Sequence, residues 1–384
     1  MGKHRKIKII FVSERRADYS RFKPIMELIK KDPVFDYKLI VTGISLLKEY
    51  GEDIKVIKRD GFKIAHVIPM FKKNAPDSGA EMTRALSRVI SGLADLFEKI
   101  KPDLIFTGFD IGANFSAALV GAHMNIPVAH VQGGEITGSI DESIRHAASK
   151  FSHIHFPATK DAALRLIKMG EDKKFIFTVG CPSIDALVQA PKMSKEEISK
   201  ILKLDHKKPY ALVVQHPVTT ELKKSGFQIK QTIEAVKELA LQAVVLYPNN
   251  DAGTKKIVSF IKKSNMNYIK SLPSEVYANV LHNCSVLVGN SSSGIHEAAT
   301  FHVPVVNIGT RQQGRQRPKN VIDVACKKED IKKAIKKALY DKNFKKIILK
   351  AKNPYGDGHS SERIVKILKN IDIKKIPLQK QFKD

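Results

Sequence analysis

Residues 108–146 read GFDIGANFSAALVGAHMNIPVAHVQGGEITGSIDESIRH and place polar side chains after two successive predicted strands. Asp110 follows the first strand, and the pair Gly133 and Gly134 follows the second, just before Glu135. Because open parallel α/β sheets bind ligands at the carboxyl ends of their strands, we expect these loops to share one site. The segment therefore indicates an enzyme that acts on an anionic small molecule.

The alternation of strand, loop and helix extends in both directions from this segment. Residues 7–12 and 38–43 are apolar runs typical of buried strands, and residues 86–97 carry apolar side chains at helical spacing. Such alternation predicts parallel sheets covered by helices on both faces. Further strands are predicted at 103–108, 126–131, 153–158, 174–180, 210–215, 243–248, 285–290 and 303–309.

The length of 384 residues exceeds one ordinary hydrophobic core, so we expect two domains. We predict an α/β fold with two doubly wound, Rossmann-like domains that face a cleft. The first domain is expected at residues 1–187, and a nucleotide-binding second domain at 188–359. A helix in the segment 360–384, capped by Ser360 or Ser361, is expected to pack back on the first domain.

Composition and charge restrict the class of partner. The net charge of +27 and pI near 9.8 permit nucleic-acid or membrane binding. The lysines are spread through the chain without an aromatic-interleaved basic patch, so we expect neither partner. Three scattered cysteines fit a cytoplasmic protein. Without GxGxxG or metal-ligand spacing, we expect no dinucleotide cofactor and no metal.

The sequence VGNSSSGIHEAA (288–299) lies between a predicted strand and a helix. Ser291 and Ser292 suit phosphate binding at a helix N-terminus, although serine is also the ordinary helix cap. Glu297 could hold a ribose hydroxyl or simply favour the helix dipole. Arg16, directly after the first strand, could bind a phosphate or belong to a solvated charge run.

Three other polar residues follow predicted strands of the second half. His216 in QHPVTT could contact a diphosphate, act in proton transfer, or be structural. Asn249 in YPNNDAG could reach the ligand or cap the next helix. Arg311 in GTRQQGRQRP belongs to a basic, glycine-bearing loop that could cover phosphates.

Seven segments of the chain carry a family resemblance. In chain order, they are RADYSRFKPIM, VTGISLLKEYG, GGEITGSIDESIRHA, QHPVTT, YPNNDAG, GNSSSGIHEA and GTRQ. Together they resemble the hydrolysing UDP-N-acetylglucosamine 2-epimerases of the sialic- and legionaminic-acid type, from near residue 16 to near residue 365. The resemblance implies a glycosyltransferase-B-like fold, a ligand in the interdomain cleft and a homodimer or homotetramer.

The resemblance implies that UDP is eliminated across C1–C2 of the sugar, giving a glycal to which water adds. Such chemistry needs carboxylates for proton transfer and positive groups around the departing diphosphate. Asp110 and Asp141 become the acid/base candidates, with Glu135 in reserve. Arg145 would orient the acidic cluster. The implied nucleotide or phosphate contacts are Arg16, His216, Ser291, Ser292, Glu297 and Arg311.

Two departures from the family pattern leave the reaction open. Where the family usually shows Gly-Asp-Arg, this chain has Phe109, Asp110 and Ile111. Where many members carry glutamate, it has Gln132, which can hydrogen-bond the substrate but cannot transfer its proton. UDP- or GDP-N,N'-diacetylbacillosamine is therefore an alternative to UDP-N-acetylglucosamine as substrate. A non-hydrolysing epimerase, a glycosyltransferase and a non-catalytic sugar-nucleotide-binding protein also remain alternatives.

Overall fold

The computed structural model describes residues 5–72 and 75–383. Residues 1–4 and 384, at the outer ends of the predicted domain ranges, lie outside the described part. Within it, the chain forms two six-stranded sheets whose neighbouring strands all run parallel. The fold is α/β with two Rossmann-like units, as the alternation of apolar runs predicts.

The first sheet and its helices come from the N-terminal half of the chain. Its strands are β1 (Ile7–Ser13), β2 (Phe35–Thr42), β3 (Ile64–Ile68), β4 (Leu104–Gly108), β5 (Val128–Val131) and β6 (Ile154–Phe156). Its helices are α1 (Arg16–Lys31), α2 (Ile54–Arg59), α3 (Gly79–Ile100), α4 (Gly112–His123), α5 (Ile140–Phe151), α6 (Lys160–Lys168) and α7 (Pro182–Val188).

The second sheet repeats the same plan. Its strands are β7 (Tyr210–Val214), β8 (Gln242–Leu246), β9 (Tyr268–Ile269), β10 (Val286–Gly289), β11 (Val305–Ile308) and β12 (Val321–Val324). The remaining helices are α8 (Lys195–Leu202), α9 (Ser225–Lys237), α10 (Thr254–Lys263), α11 (Ser274–Asn283), α12 (Ser293–His296), α13 (Lys328–Tyr340), α14 (Lys342–Leu349) and α15 (Ser360–Asn370).

The strand order of the two sheets explains where a site can form. The first sheet runs β3-β2-β1-β4-β5-β6 and the second runs β12-β11-β10-β7-β8-β9. In each sheet the direction of winding reverses at the pair of central strands, β1 with β4 and β7 with β10. The loops after such a pair diverge and leave a crevice at the carboxyl edge of the sheet.

The C-terminal helix α15 packs on the first sheet's core. Ile364 and Leu368 are fully buried there, in one apolar cluster with Phe22 of α1. The predicted cap was wrong, because the carboxylate of Asp185 in α7 accepts hydrogen bonds from the backbone N–H groups that begin the helix. The helix ends at Asn370, and an irregular tail follows it rather than more helix.

The sequence patterns failed mainly at the sheet edges. The predicted strand at 174–180 is wrong, because residues 173–175 form a 3-10 turn and Ile176 makes only an isolated bridge to His155. Strands β3, β9 and β12 were not predicted, and each of them lies at the edge of its sheet. Across residues 5–72 and 75–383, no helix is both long and apolar enough to cross a membrane.

Candidate functional site between the two sheets

A cavity lies between the carboxyl edges of the two sheets. It measures about 600 Å³, including its opening to solvent. Loops after the central pairs of strands line it, together with loops after the neighbouring strands β5, β8 and β11. The lining residues are Arg15, Ala17, Arg21, Phe109, Asp110, Ile111, Gln132, Glu135, Asp141, Arg145, His216, Asn249, Ser292, His296, Arg311 and Arg315.

A tight turn after β4 presents Asp110 to this cavity. Phe109 adopts a positive φ of 69°, a conformation that favours glycine and costs a larger residue roughly 1–3 kcal/mol. Its N–H donates to the carbonyl of Val131 at 2.9 Å, and the Arg21 guanidinium lies 4.8 Å from its ring centre. These contacts hold phenylalanine in a backbone position where the family usually has glycine.

Asp110 is held as an anion by surrounding arginines. Its Oδ2 forms an ion pair with Arg145, and Arg315 lies 3.4 Å from the same oxygen. Burial by itself raises the pKa of Asp110, but the charges of Arg145, Arg315 and Arg21 outweigh burial and hold the pKa well below its ordinary value. Asp110 is therefore a carboxylate over the whole physiological pH range.

Asp141 has the opposite electrostatic environment. It lies in the first turn of α5, and its Oδ2 is 3.3 Å from Arg311. Burial raises the pKa of Asp141, the nearby anion of Asp110 raises it further, and Arg311 only partly opposes them. One cavity thus contains one carboxyl group with a lowered pKa and another with a raised pKa, which is a pattern typical of paired acid/base catalysts.

Glu135 connects the two walls of the cleft. Its Oε2 lies 2.9 Å from His296 Nε2 in the second half of the chain, and its Oε1 accepts from the Gln132 side chain at 3.1 Å. Burial raises the pKa of Glu135, but His296, Arg315 and Arg145 together hold it well below its ordinary value. Because its oxygens are engaged on both sides, Glu135 is better suited to join the two walls than to exchange protons.

His216 presents a hydrogen-bond donor to the cavity. Its Nδ1 accepts from the backbone N–H of Asn249 at 3.0 Å, so the ring proton lies on Nε2. Burial lowers the pKa of His216 far below its ordinary value, and the charges of Arg311 and Arg15 lower it further. A neutral imidazole in this tautomer can donate to a phosphate oxygen, whereas it has no free nitrogen to act as a base.

The cavity carries an excess of positive charge. Among the described residues its lining contains five arginines, against the carboxylates of Asp110, Glu135 and Asp141. The amide oxygens of Gln132 and Asn249 are buried and accept no hydrogen bond from any described residue. A ligand with both anionic oxygens and hydrogen-bond donors, such as a sugar diphosphate, complements this lining.

Three predicted contacts lie outside the lining. Arg16 is engaged by Asp53 and by the carbonyl of Leu272, so it joins the two halves of the chain away from the cavity. Ser291 uses its hydroxyl to accept from a backbone N–H two residues later, as an ordinary cap does. Glu297 accepts from the Ser293 hydroxyl. The nucleotide contacts assigned to these three residues therefore stay predictions, because the structure places none of the three in the lining.

Of the twelve predicted site residues, the structure brings nine together around the cavity: Asp110, Gln132, Glu135, Asp141, Arg145, His216, Asn249, Ser292 and Arg311. Sequence reasoning missed Arg15, Arg21, His296 and Arg315. Arg315 could have been found, because it lies four residues beyond Arg311 in the same basic loop. Arg15 and His296 gave no separate signal within their motifs.

The arrangement also accounts for the two departures from the family pattern. Ile111 is buried with 4% of its surface exposed, and the positive charge beside Asp110 comes instead from Arg145 and Arg315. Gln132 adopts a positive φ of 58° and donates to Glu135. An acid at position 132 would face the Glu135 carboxylate directly.

A family model described as UDP-N-acetylglucosamine 2-epimerase matches residues 27–369. The chain is 38% identical over 370 residues to the UDP-N,N'-diacetylbacillosamine 2-epimerase (hydrolyzing) of Legionella pneumophila, covering 95% of this chain and 96% of that one. It is 31% identical to the UDP-N-acetylglucosamine 2-epimerase of Neisseria meningitidis, covering 98% and 99% of the two chains.

Among solved structures, the UDP-GlcNAc 2-epimerase from Neisseria meningitidis bound to UDP-GlcNAc matches with a TM-score of 0.81 and 20% identity. The match covers 95% of this chain and all of that one. Fold and cavity together define a protein with two Rossmann-like units and an arginine-rich cleft between them. The chain belongs to the UDP-N-acetylglucosamine 2-epimerase family.

Proposed function

We propose that this protein is a hydrolysing 2-epimerase that converts UDP-N,N'-diacetylbacillosamine to the free manno-configured sugar and UDP. The observation that carries the reaction type is the pair Asp110 and Asp141, which line one arginine-rich cavity in opposite electrostatic environments. The substrate rests on the 38% identity to the Legionella enzyme of that printed activity. UDP-N-acetylglucosamine is the second candidate, favoured by the 31% identity to the Neisseria enzyme.

In the first step, the Asp110 carboxylate removes the proton from C2 of the sugar. The C2–H electron pair forms the C1=C2 double bond as the bond from C1 to the diphosphate oxygen breaks, and UDP leaves. The C2 proton is not activated by a carbonyl group, so most of the rate must come from stabilising the departing anion. Arg15 and Arg311 line the cavity where they can hold that diphosphate, with His216 Nε2–H as a neutral donor.

In the second step, Asp141 delivers its proton to C2 from the opposite face of the ring, which inverts this carbon. Water then adds its hydroxyl to C1, and its remaining proton returns to Asp141, while the proton on Asp110 passes to solvent. The sum is substrate plus water giving the epimerised sugar plus UDP. Two separate acid/base groups are needed because the proton leaves one face and arrives at the other.

The test incubates the purified protein with each of the two UDP sugars in deuterated water and follows the products by proton NMR. We expect free manno-configured sugar with deuterium at C2, released together with UDP. A product that still carries UDP would indicate the non-hydrolysing reaction instead. Tight UDP binding without turnover of either sugar would exclude both proposed substrates.

The resemblance also implies a homodimer or homotetramer, and we carry this forward as part of the proposal. Sedimentation equilibrium of the purified protein measures it directly. A monomer at micromolar concentration would contradict it, without bearing on the reaction assigned to the cleft.

A further inference from the structure

The segment after α15 returns to the helix that carries Asp141 and Arg145. Lys380 donates from Nζ to the carbonyl oxygens of Ser149 at 3.1 Å, Lys150 at 3.1 Å and Ser152 at 2.5 Å. These carbonyls belong to the last turn and C-cap of α5, where a helix has no internal donors of its own. A lysine in this position also opposes the negative end of the helix dipole.

A buried carboxylate fixes Lys380 in place. Glu171 is 1% exposed and pairs with Lys380, with Lys150 at 2.8 Å and with His155 at 3.0 Å. Because removing one partner of a buried ion pair leaves an uncompensated charge, this arrangement resists displacement of the lysine.

Contacts on either side of Lys380 hold the rest of the tail. The carbonyl of Leu378 lies 3.1 Å from His153 Nε2, and the backbone N–H of Lys383 donates to Gly170 at 3.1 Å. The ring of Phe382 packs against Gly170 and occupies the space that a β-carbon would need there. The tail, residues 376–383, therefore lies in a defined path along the first sheet's domain.

The end of α5 that the tail covers is also connected to Asp110. The Ser149 hydroxyl contacts His130 Nδ1 at 3.1 Å, and His130 Nε2 contacts the carbonyl of Phe109 at 3.3 Å. Burial lowers the pKa of His130 to about 3, so this ring is a neutral hydrogen-bonding bridge. Phe109 immediately precedes Asp110. The C-terminal end of α5 is thus connected to the turn that carries Asp110, the proposed base, and its N-terminal end carries Asp141, the proposed acid.

We propose that the tail 376–383 positions the acid/base pair through Lys380, which fixes the C-terminal end of α5. The inference rests on the proposed function, because it concerns the placement of Asp141 and Asp110 for that reaction. Lys380 is a positioning residue and does not reach the cavity, since it is absent from the lining. Misplacing reacting groups by about 1 Å can cost roughly 100-fold in rate, so a fixed helix end has a direct catalytic consequence.

The experiment compares three variants of the full chain. Lys380→Gln removes the charge, Lys380→Arg retains it, and Lys375→Gln is the control on an exposed lysine just before the tail. We expect Lys380→Gln to lower kcat by roughly 10- to 100-fold with KM changed by less than about threefold. The arginine variant should recover most of the rate, and the control should equal the wild type.

Amide hydrogen exchange supplies a readout that needs no substrate. Lys380→Gln should accelerate exchange at residues 146–151 while leaving the strands of the first sheet protected. Unchanged exchange there, or faster exchange with undiminished kcat, would overturn the inference. A wild-type protein that turns over neither UDP sugar would overturn the proposed function. Hydrogen exchange at α5 would still test the contact between Lys380 and the helix, because that measurement needs no substrate.

Discussion

The two walls of the cleft differ in chemistry although their sheets share one topology. The first wall carries every carboxylate among the described lining residues: Asp110, Glu135 and Asp141. The second wall contributes His216, Asn249, Ser292, His296, Arg311 and Arg315, all of which are neutral or positive. The same strand order therefore supports two different tasks, because side chains on the loops determine the chemistry and the sheets only place them.

This asymmetry explains how the pKa values of Asp110 and Asp141 come to differ. Arg145, on the same wall as Asp110, keeps that group ionised, whereas Arg311 reaches Asp141 from the opposite wall. Arg311 of the second wall thus opposes the rise in the pKa of Asp141, whereas the largest charge contribution to the lowered pKa of Asp110 comes from Arg145 of the first wall. Variants on each side should therefore produce different kinetic signatures.

Asp110→Asn should have the largest effect. The amide keeps the shape and can still accept from Arg145, but it cannot take a proton, so we expect kcat to fall about 1,000-fold. Binding of UDP, measured by calorimetry, should remain within about threefold of wild type, because the second wall is intact. Asp95→Asn, an exposed change in α3, is the matched control. Full activity in Asp110→Asn would remove this residue from the mechanism.

Arg311→Ala should weaken nucleotide binding by the second wall. It removes a buried cation that faces Asp141 and the space proposed for the diphosphate, so we expect UDP affinity to fall roughly 100-fold. Calorimetric titration with UDP measures this loss, with the exposed Arg84→Ala as the control. Wild-type affinity in the variant would show that Arg311 does not hold the nucleotide.

Arg311→Ala should also change the pH dependence of kcat. Asp141 must be protonated to act as the acid, so activity is lost as pH rises through its raised pKa. Arg311 opposes that rise, and removing it should move the alkaline limb of kcat to higher pH. The measurement is kcat at saturating substrate over a pH series. A shift to lower pH would contradict the assignment of Asp141 as the acid.

Arg15→Ala and Arg16→Ala form a matched pair of neighbours. Arg15 lines the cavity, whereas Arg16 is engaged by Asp53 and Leu272, so only the first variant should weaken UDP binding, by about tenfold. Dissociation constants of the two variants, measured side by side, decide the point. Equal losses, or a larger loss in Arg16→Ala, would favour the role predicted for Arg16 from the sequence.

Gln132→Glu should have the smallest effect of these variants, and we expect it to lower the stability of the protein. The new carboxylate would face Glu135 in place of a donor, so we expect the free energy of unfolding to fall by about 1–3 kcal/mol. Gln132→Met removes the hydrogen bond without adding charge and isolates that contribution. Denaturant unfolding measures both variants. Higher activity in Gln132→Glu would instead mean that the family's glutamate chemistry can operate on this scaffold.

Local sequence patterns were sufficient for the central strands and insufficient at the edges. Central strands such as β4 and β10 are buried on both faces, so they must be continuous apolar runs that are visible in the sequence. Edge strand β9 has only two residues, and its stability comes from its neighbour β8. A segment that becomes a strand by pairing gives little signal of its own.

The candidate site shows the same division. Loops that follow predicted strands could be located from the sequence, and Asp110 after β4 and Arg311 after β11 were found in this way. The contact between Glu135 and His296 joins residues 161 positions apart, and no local pattern encodes it. Likewise the cap of α15 comes from Asp185, which is distant in the chain.

The sequence by itself determined the two parallel sheets, the strand ends that carry the candidate site and the excess of basic residues, because buried strands and their alternation with helices are visible as local apolar runs. Only the tertiary structure decided which of Arg15 and Arg16 faces the cavity, since consecutive residues entering a helix point in directions about 100° apart. It also decided that Asp110 is ionised while the pKa of Asp141 is raised. Those states depend on charges brought together by folding, and electrostatic interactions act through space rather than along the chain.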